Sequence, residues 1–281
     1  MTTAPRFASI DDALGLEDEQ LALADIALLL ARDAYPELDV GHYLMRLDAM
    51  AGEVGQRLAA DADVFATLAE LNRYLFQEQG FRGNFDDYYD PRNSYLNEVL
   101  DRRTGIPITL SLVYIEVGRR LGLPLDGISF PGHFLVKCPV DGGEVVLDPY
   151  SGGVSLGIDE LEHRLHEVVG EQHAERIELT SLLAAAPKRD ILVRMLHNLK
   201  VLYLRDEDLH RALAVCDRIL QFKPDSVDDL RDRGVLYATL DCFTPALADL
   251  RRYLALRPDA PDSEQIRARV IELQAQSARL H

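Results

Sequence analysis

His133 and Asp148 are side chains whose types and spacing could do acid–base chemistry. They stand in Gly132-His133-Phe134 and Leu147-Asp148-Pro149, with the hairpin signal Asp141-Gly142-Gly143 between them. A turn centred near 141–142 sets the two about opposite, or one diagonal step apart, so contact on one face is feasible. An imidazole fixed by a carboxylate serves as general base and then acid in acyl transfer, given a nucleophile within reach. A helix N-terminus is the favoured place for that nucleophile, because its partial positive charge stabilises a thiolate. The helix ahead of the hairpin opens Gly105-Ile106-Pro107-Ile108-Thr109 and carries no sulfur.

Thr109 and Ser111 are the hydroxyls close to that helix start, and both can bond back to the helix backbone. A hydrolase or acyl transferase using His133 and Asp148 with Thr109 or an activated water is one reading of these residues. Cys138 follows the His133 strand, and alternation turns it away from the face of His133, Leu135 and Lys137. Cys216 and Cys242 lie among apolar neighbours, so all three cysteines read as buried and structural. His163 and His166 are three residues apart on a helical pattern, but Glu160, Glu162 and Glu167 describe a solvated face with no third ligand. No metal site and no cofactor is expected.

Elements must hold these groups in place. Residues 9–79 read as helices: one broad apolar face from Leu21 to Leu30, a second helix from about Asp39, and a third from about Asp63 to Gln79. The third turns Phe65, Leu68, Leu71, Leu75 and Phe76 inward. Ser9 with Asp12 gives a capping-box signal. Residues 80–106 read as loop with a short helix from Tyr95 to Leu100. Sites gather on loops held by rigid elements, which makes Arg82, Asn84, Tyr88, Tyr89, Arg92 and Asn93 candidate binding residues. Asp86, Asp87 and Asp90 lack the spacing of a calcium loop and suit turns and caps instead. The helix from Pro107 to Leu121 is apolar on most sides and is therefore buried. Strands are expected at about 125–130, 133–137 and 145–147. Helices and strands in blocks indicate an α+β domain with an antiparallel sheet.

The remainder carries an internal repeat. Tyr203 and Tyr237, Ala212 and Ala246, Leu220 and Leu254, and Pro224 and Pro258 are each 34 residues apart, the tetratricopeptide period. Lys200 occupies in the first copy the position of Gly234 in the second. Two copies are fewer than the three usually needed, so these helices are expected to lean on the first domain and on a capping helix from about Asp262 to Leu280. The domain reading is 1–187 for the helical and α+β part and 188–281 for the repeats.

With 281 residues, 47% of them hydrophobic, the chain can bury a sizeable core. Residues 1–187 hold 14 Lys and Arg against 32 Asp and Glu, and residues 188–281 hold 16 against 15. Such an acidic body repels phosphate backbones and argues against nucleic-acid binding. No apolar run is long enough to cross a bilayer, and residues 1–6 do not lead into a signal core. Three cysteines without a disulfide pattern fit a reducing compartment, so a cytoplasmic location is expected, with no membrane partner.

Six segments in one order carry a more specific signal. They are Gly80-Phe81-Arg82-Gly83-Asn84, Asn93-Ser94-Tyr95-Leu96, Arg103-Thr104-Gly105-Ile106-Pro107-Ile108, Phe130-Pro131-Gly132-His133-Phe134, Asp148-Pro149-Tyr150-Ser151-Gly152-Gly153 and Arg231-Asp232-Arg233-Gly234. In them the chain resembles the SirB1 family, transglutaminase-like proteins with C-terminal tetratricopeptide repeats. The resemblance implies a transglutaminase-like (papain-like) core in which a cysteine, a histidine and an aspartate meet. Counting back from Gly122-Leu123-Pro124, the cysteine position of active enzymes falls at about Pro107, while His133 and Asp148 match the histidine and aspartate. With no cysteine at that position, the preferred reading is a pseudoenzyme acting through protein–protein interaction or regulation with a protein or peptide partner, and the atypical hydrolase or acyl transferase is the alternative.

Overall fold

A computed structural model describes residues 4–174 and 176–279. It divides into two compact units, up to Leu192 and from Val193. After a short turn of helix α1 (Asp11–Leu14), the first unit is built on α2 (Leu23–Ala31), every residue of which is buried. The Asp39 carboxylate caps α3 (Val40–Gly55) by accepting from the His42 N–H, and Asp63 caps α4 (Val64–Asn72) through Ala66 N–H. Beyond α4 the turns widen to π-helical bonding over Arg73–Glu78, with Gln79 N–H donating to Tyr74 C=O. The inward stripe there is Thr67, Leu68, Leu71, Tyr74 and Leu75. Phe65 corrects the sequence reading, since it stands off that stripe and is exposed.

Helix α5 (Leu96–Arg102) leads to α6 (Pro107–Arg120), the buried centre of the unit. Pro107 occupies the first turn of α6, where its missing N–H costs nothing. Gly118 lets α6 approach the strands: a Cβ there would come within 2.3 Å of Leu125. Four strands, β3 (Asp126–Ile128), β4 (Leu135–Val140), β5 (Gly143–Asp148) and β6 (Val154–Leu156), form an antiparallel sheet in that order. They follow β1 (Arg82–Gly83) and β2 (Thr104–Gly105), a two-residue parallel bridge. The bridge and β6 escaped the sequence reading because two or three residues carry no periodicity. Helix α7 (Ile158–Val169) buries Leu161 and Leu165 against Ile128, Leu135 and Val146 of the sheet. Short helical turns α8 (Glu171–Ala174) and α9 (Leu179–Leu182) complete this unit.

The division after Leu192 falls inside α10 (Lys188–Arg205). In the second unit α11 (Leu209–Phe222) and α13 (Phe243–Leu256) start and stop 34 residues apart, with α12 (Val227–Thr239) between them. Helix α14 (Ser263–Arg279) adds Ile266, Val270 and Leu273 to the core of Leu230, Leu250 and Tyr253. Leu280, the expected end of that helix, lies outside the described residues. Cys138 and Cys216 are buried, but Cys242 is exposed. It sits at the N-cap of α13, in the turn between helices and outside their apolar stripe.

Candidate functional site

Asp148 ends β5, and its carboxylate caps the turn Pro149–Ser151 by accepting from the Tyr150 and Ser151 N–H groups. Across the ladder Val136 faces Leu147, which sets Asp148 opposite Leu135. His133 precedes that strand by two residues, in a bend and not on the strand assigned from sequence. The cause is the preceding Phe130-Pro131-Gly132-His133 turn: His133 N–H donates to Phe130 C=O at 3.1 Å, and Gly132 takes φ +66°. Proline at the second position and a left-handed glycine at the third are what such a turn demands.

The turn brings His133 Nε2 to 2.9 Å from Asp148 Oδ1. Asp148 is fully buried, and its other oxygen accepts from Arg164 Nη1 at 2.7 Å and Ser151 Oγ at 2.8 Å. Burial alone would raise the pKa of this carboxyl. The bond and charge of His133, with the bonds from Arg164 and Ser151, outweigh burial and hold it well below the usual carboxylate range. Arg164, reaching in from α7, is raised in turn: burial opposes its charge, and the bonds to Asp148 and Glu160 overcome it. With Nε2 committed to Asp148, Nδ1 is the ring nitrogen that would take a proton from a nucleophile.

Thr109, the candidate nucleophile, has its hydroxyl committed to backbone groups. It is completely buried, its hydroxyl donates to Asn93 C=O at 2.7 Å, and its oxygen accepts from Ile106 N–H at 3.1 Å. It is the third helical residue of α6 and satisfies the N-terminal backbone. Ser111 Oγ likewise donates to Phe134 C=O at 3.3 Å. Pro107 is buried at the helix start.

The loop residues separate into two sets. Asn84 and Asn93 are buried staples of the loop: Asn84 Nδ2 donates to Asn93 Oδ1 at 3.1 Å, and Asn93 Nδ2 donates to Asp87 C=O at 2.8 Å. Arg92 is tied to Asp90 at 2.8 Å, and Arg102 reaches the same carboxylate at 3.0 Å. Tyr88, Tyr89 and Arg82 are exposed. Phe85 and Tyr150 were missed: both contact each other, and Tyr150 also stands edge-on to His133, with centroids 5.8 Å apart. Their signal was available as aromatics flanking Asp86-Asp87 and following Asp148-Pro149. Arg164 and Ser151 gave no local signal. Among the described residues no three His, Cys, Asp or Glu side chains gather as a metal-ligand set. No helix among them is long and apolar enough to cross a membrane.

A histidine in the turn before a hairpin and an aspartate at the hairpin's end, after a buried helix and followed by helical hairpins of 34-residue period, is the arrangement of a transglutaminase-like core with tetratricopeptide repeats. The chain belongs to the transglutaminase-like superfamily, whose model matches residues 41–197, and a tetratricopeptide-repeat model matches residues 199–270. Similar proteins include a UPF0162 protein of Xylella fastidiosa, 43% identical over 270 residues and 95% of each chain. A UPF0162 protein of Pseudomonas aeruginosa is 33% identical over 98% of each chain. Protein SirB1 of Salmonella typhimurium is 29% identical over 91% of this chain and 93% of its own. No solved structure gives a significant match.

Proposed function

We propose that this chain is a transglutaminase-like protein that acts by binding a protein or peptide partner and not by acyl transfer. The observation that carries the reading is the start of α6. Pro107 is buried there and has no nucleophilic atom, and the Thr109 hydroxyl is committed to Asn93 C=O and the Ile106 N–H, which argues against either as an attacking group. Removing the nucleophile of a catalytic triad leaves only residual catalysis, roughly 10³–10⁴-fold over water in the serine-protease case. Tetratricopeptide repeats generally mediate protein–protein interaction, which agrees with a binding role. The test is crosslinking and pull-down on the full chain under several conditions. A stoichiometric partner is the expected result, and its consistent absence would count against the reading.

One observation favours a second reading. The 2.9 Å bond from His133 to a buried, depressed carboxylate fixes the imidazole as a general base requires, and an activated water could serve as nucleophile for an amide or ester. His133→Ala and the parent are compared on amide, ester and acyl-transfer substrates. Equal background rates dispose of hydrolysis, and a rate in the parent that His133→Ala abolishes establishes it.

A further inference from the structure

Beside the His133–Asp148 pair the chain presents a cluster of aromatic rings, three of its contacts edge to face and that of Phe85 with Tyr150 tilted at 56°. The rings of Tyr88 and Tyr89 meet at 81° with centroids 5.4 Å apart, and Tyr88 meets Tyr150 at 80° and 6.5 Å. Tyr150 meets His133 at 78°, and Phe85 leans on Tyr150 with centroids 4.8 Å apart. Phe85 is 73% exposed, Tyr89 54% and Tyr88 42%. Three exposed rings within five residues forgo apolar burial that a loop of this length could have used elsewhere. They are also held in place: Asn84 Oδ1 accepts from Asp87 N–H at 3.0 Å, and Asn93 holds the carbonyls of Asp87 and Tyr88.

Charge supplies the second half of the description. Residues 80–90 hold three Asp against the single Arg82. Asp86 and Asp87 are exposed between the rings, while Asp90 is buried and paired with Arg92 and Arg102. In an edge-to-face pair one ring lends its edge to the other's face, so the electron-rich faces that remain are those turned to solvent, where a cation is attracted. A sugar ring could stack on the same faces but would gain nothing from the carboxylate charge, which makes it the contrasting ligand.

We propose that this aromatic cluster receives a Lys or Arg side chain of an extended partner segment, with cation–π contact from the exposed faces of Phe85, Tyr88 and Tyr89 and counter-charge from Asp86 and Asp87. The inference rests on the partner-binding reading above and names the chemistry of the partner.

The test uses the full chain and fluorescein-labelled octalysine, followed by anisotropy at low and physiological salt, with octaglutamate and maltoheptaose as the contrasting probes. Octalysine is expected to bind and the other two are not. The charge-neutral double variant Phe85→Leu/Tyr88→Leu is expected to weaken octalysine about tenfold with an unchanged circular dichroism spectrum. Asp86→Asn/Asp87→Asn, which leaves the rings intact, is expected to weaken it as well and to flatten the salt dependence. Octalysine binding indifferent to Phe85→Leu/Tyr88→Leu would be attraction to the acidic body at large and overturns the proposal, as does tighter binding of maltoheptaose. A partner that crosslinks equally to the parent and to Phe85→Leu/Tyr88→Leu overturns this inference but leaves partner binding standing. Ring-dependent octalysine binding in a chain that captures no partner does the reverse.

Discussion

The ring of Tyr150 packs directly on Gly83: a Cβ built on that glycine would stand 2.5 Å from ring carbon Cε2 and 2.7 Å from Cζ. The contact joins the loop bearing Phe85, Tyr88 and Tyr89 to the turn that follows Asp148. Gly83 has no room for any side chain, and its bridge partner is Gly105. Gly83→Ala is therefore expected to cost about 1–3 kcal/mol by overpacking. The control is Gly52→Ala within α3, where nothing lies within 4 Å of the new methyl and helix propensity favours the change by roughly 1 kcal/mol. Urea midpoints that move in opposite directions for the two variants confirm the packing, and equal midpoints refute it.

Asp148 makes stability depend on acid in a definite direction. Its pKa is depressed in the fold, with the His133, Arg164 and Ser151 interactions outweighing burial. Stability from such a group is fully present above the unfolded value, about 3.9, and is lost as pH falls towards the folded one. Asp229 in the second unit behaves alike: burial opposes its charge, and the bonds from His197, Lys200 and Ser226 prevail. Asp148→Asn is expected to cost about 2 kcal/mol or more at pH 7, because Arg164 loses its buried partner and keeps only the exposed Glu160. It is also expected to reduce the acid loss of stability of the first unit by about 1 kcal/mol between pH 5 and 3, read from urea unfolding at each pH. Parallel pH curves for variant and parent would show that Asp148 is not a source of the acid sensitivity.

Much of this architecture was written locally. Asp39 and Asp63 announce their helices as caps, Gly142 marks the hairpin, and the 34-residue spacing places α11 and α13. What sequence could not supply is tertiary. The three residues of β6 are a strand only because β5 pairs with them, and Arg164 reaches Asp148 from a helix 16 residues on. Asn84 and Asn93 look like ligand-binding amides in a polar loop, yet a buried amide must find partners, and each finds them within the same loop. Thr109 misled for the same reason, since a hydroxyl near a helix start reads equally as nucleophile or cap until its neighbours are known.

That distinction has its own test. If Thr109 is a cap, its value lies in the hydroxyl and its two backbone bonds, and serine can supply them. Thr109→Val removes the hydroxyl at constant shape and leaves Asn93 C=O and Ile106 N–H unpaired in the interior. It is expected to cost about 1–3 kcal/mol by urea denaturation, against less than about 1 kcal/mol for Thr109→Ser. A stable Thr109→Val would mean that water replaces both bonds and that the hydroxyl is available for other work.

The two repeats test how one position can be filled in opposite ways. At the second-copy position Gly234 lies under Leu250, so close that a Cβ would stand 2.8 Å from Leu250 Cδ2 and 3.1 Å from Asp249 Cβ. Glycine to alanine in a helix interior ordinarily stabilises by roughly 1 kcal/mol. Gly234→Ala is expected to reverse that sign and destabilise by about 1–2 kcal/mol. At the first-copy position Lys200 is tolerated because the residue matching Leu250 is the smaller Cys216, and its ammonium reaches Asp229 at 2.6 Å and Asp232 at 2.8 Å. Lys200→Met removes the charge at similar volume and strands part of Asp229, which keeps only His197 and Ser226. A loss of about 2–3 kcal/mol is expected, largely recovered by adding Asp229→Asn. Thermal and urea unfolding of the four proteins of that cycle give the coupling directly. Additive losses would mean that Lys200 and Asp229 are neighbours without an energetic tie, and that the first repeat holds its lysine by packing alone.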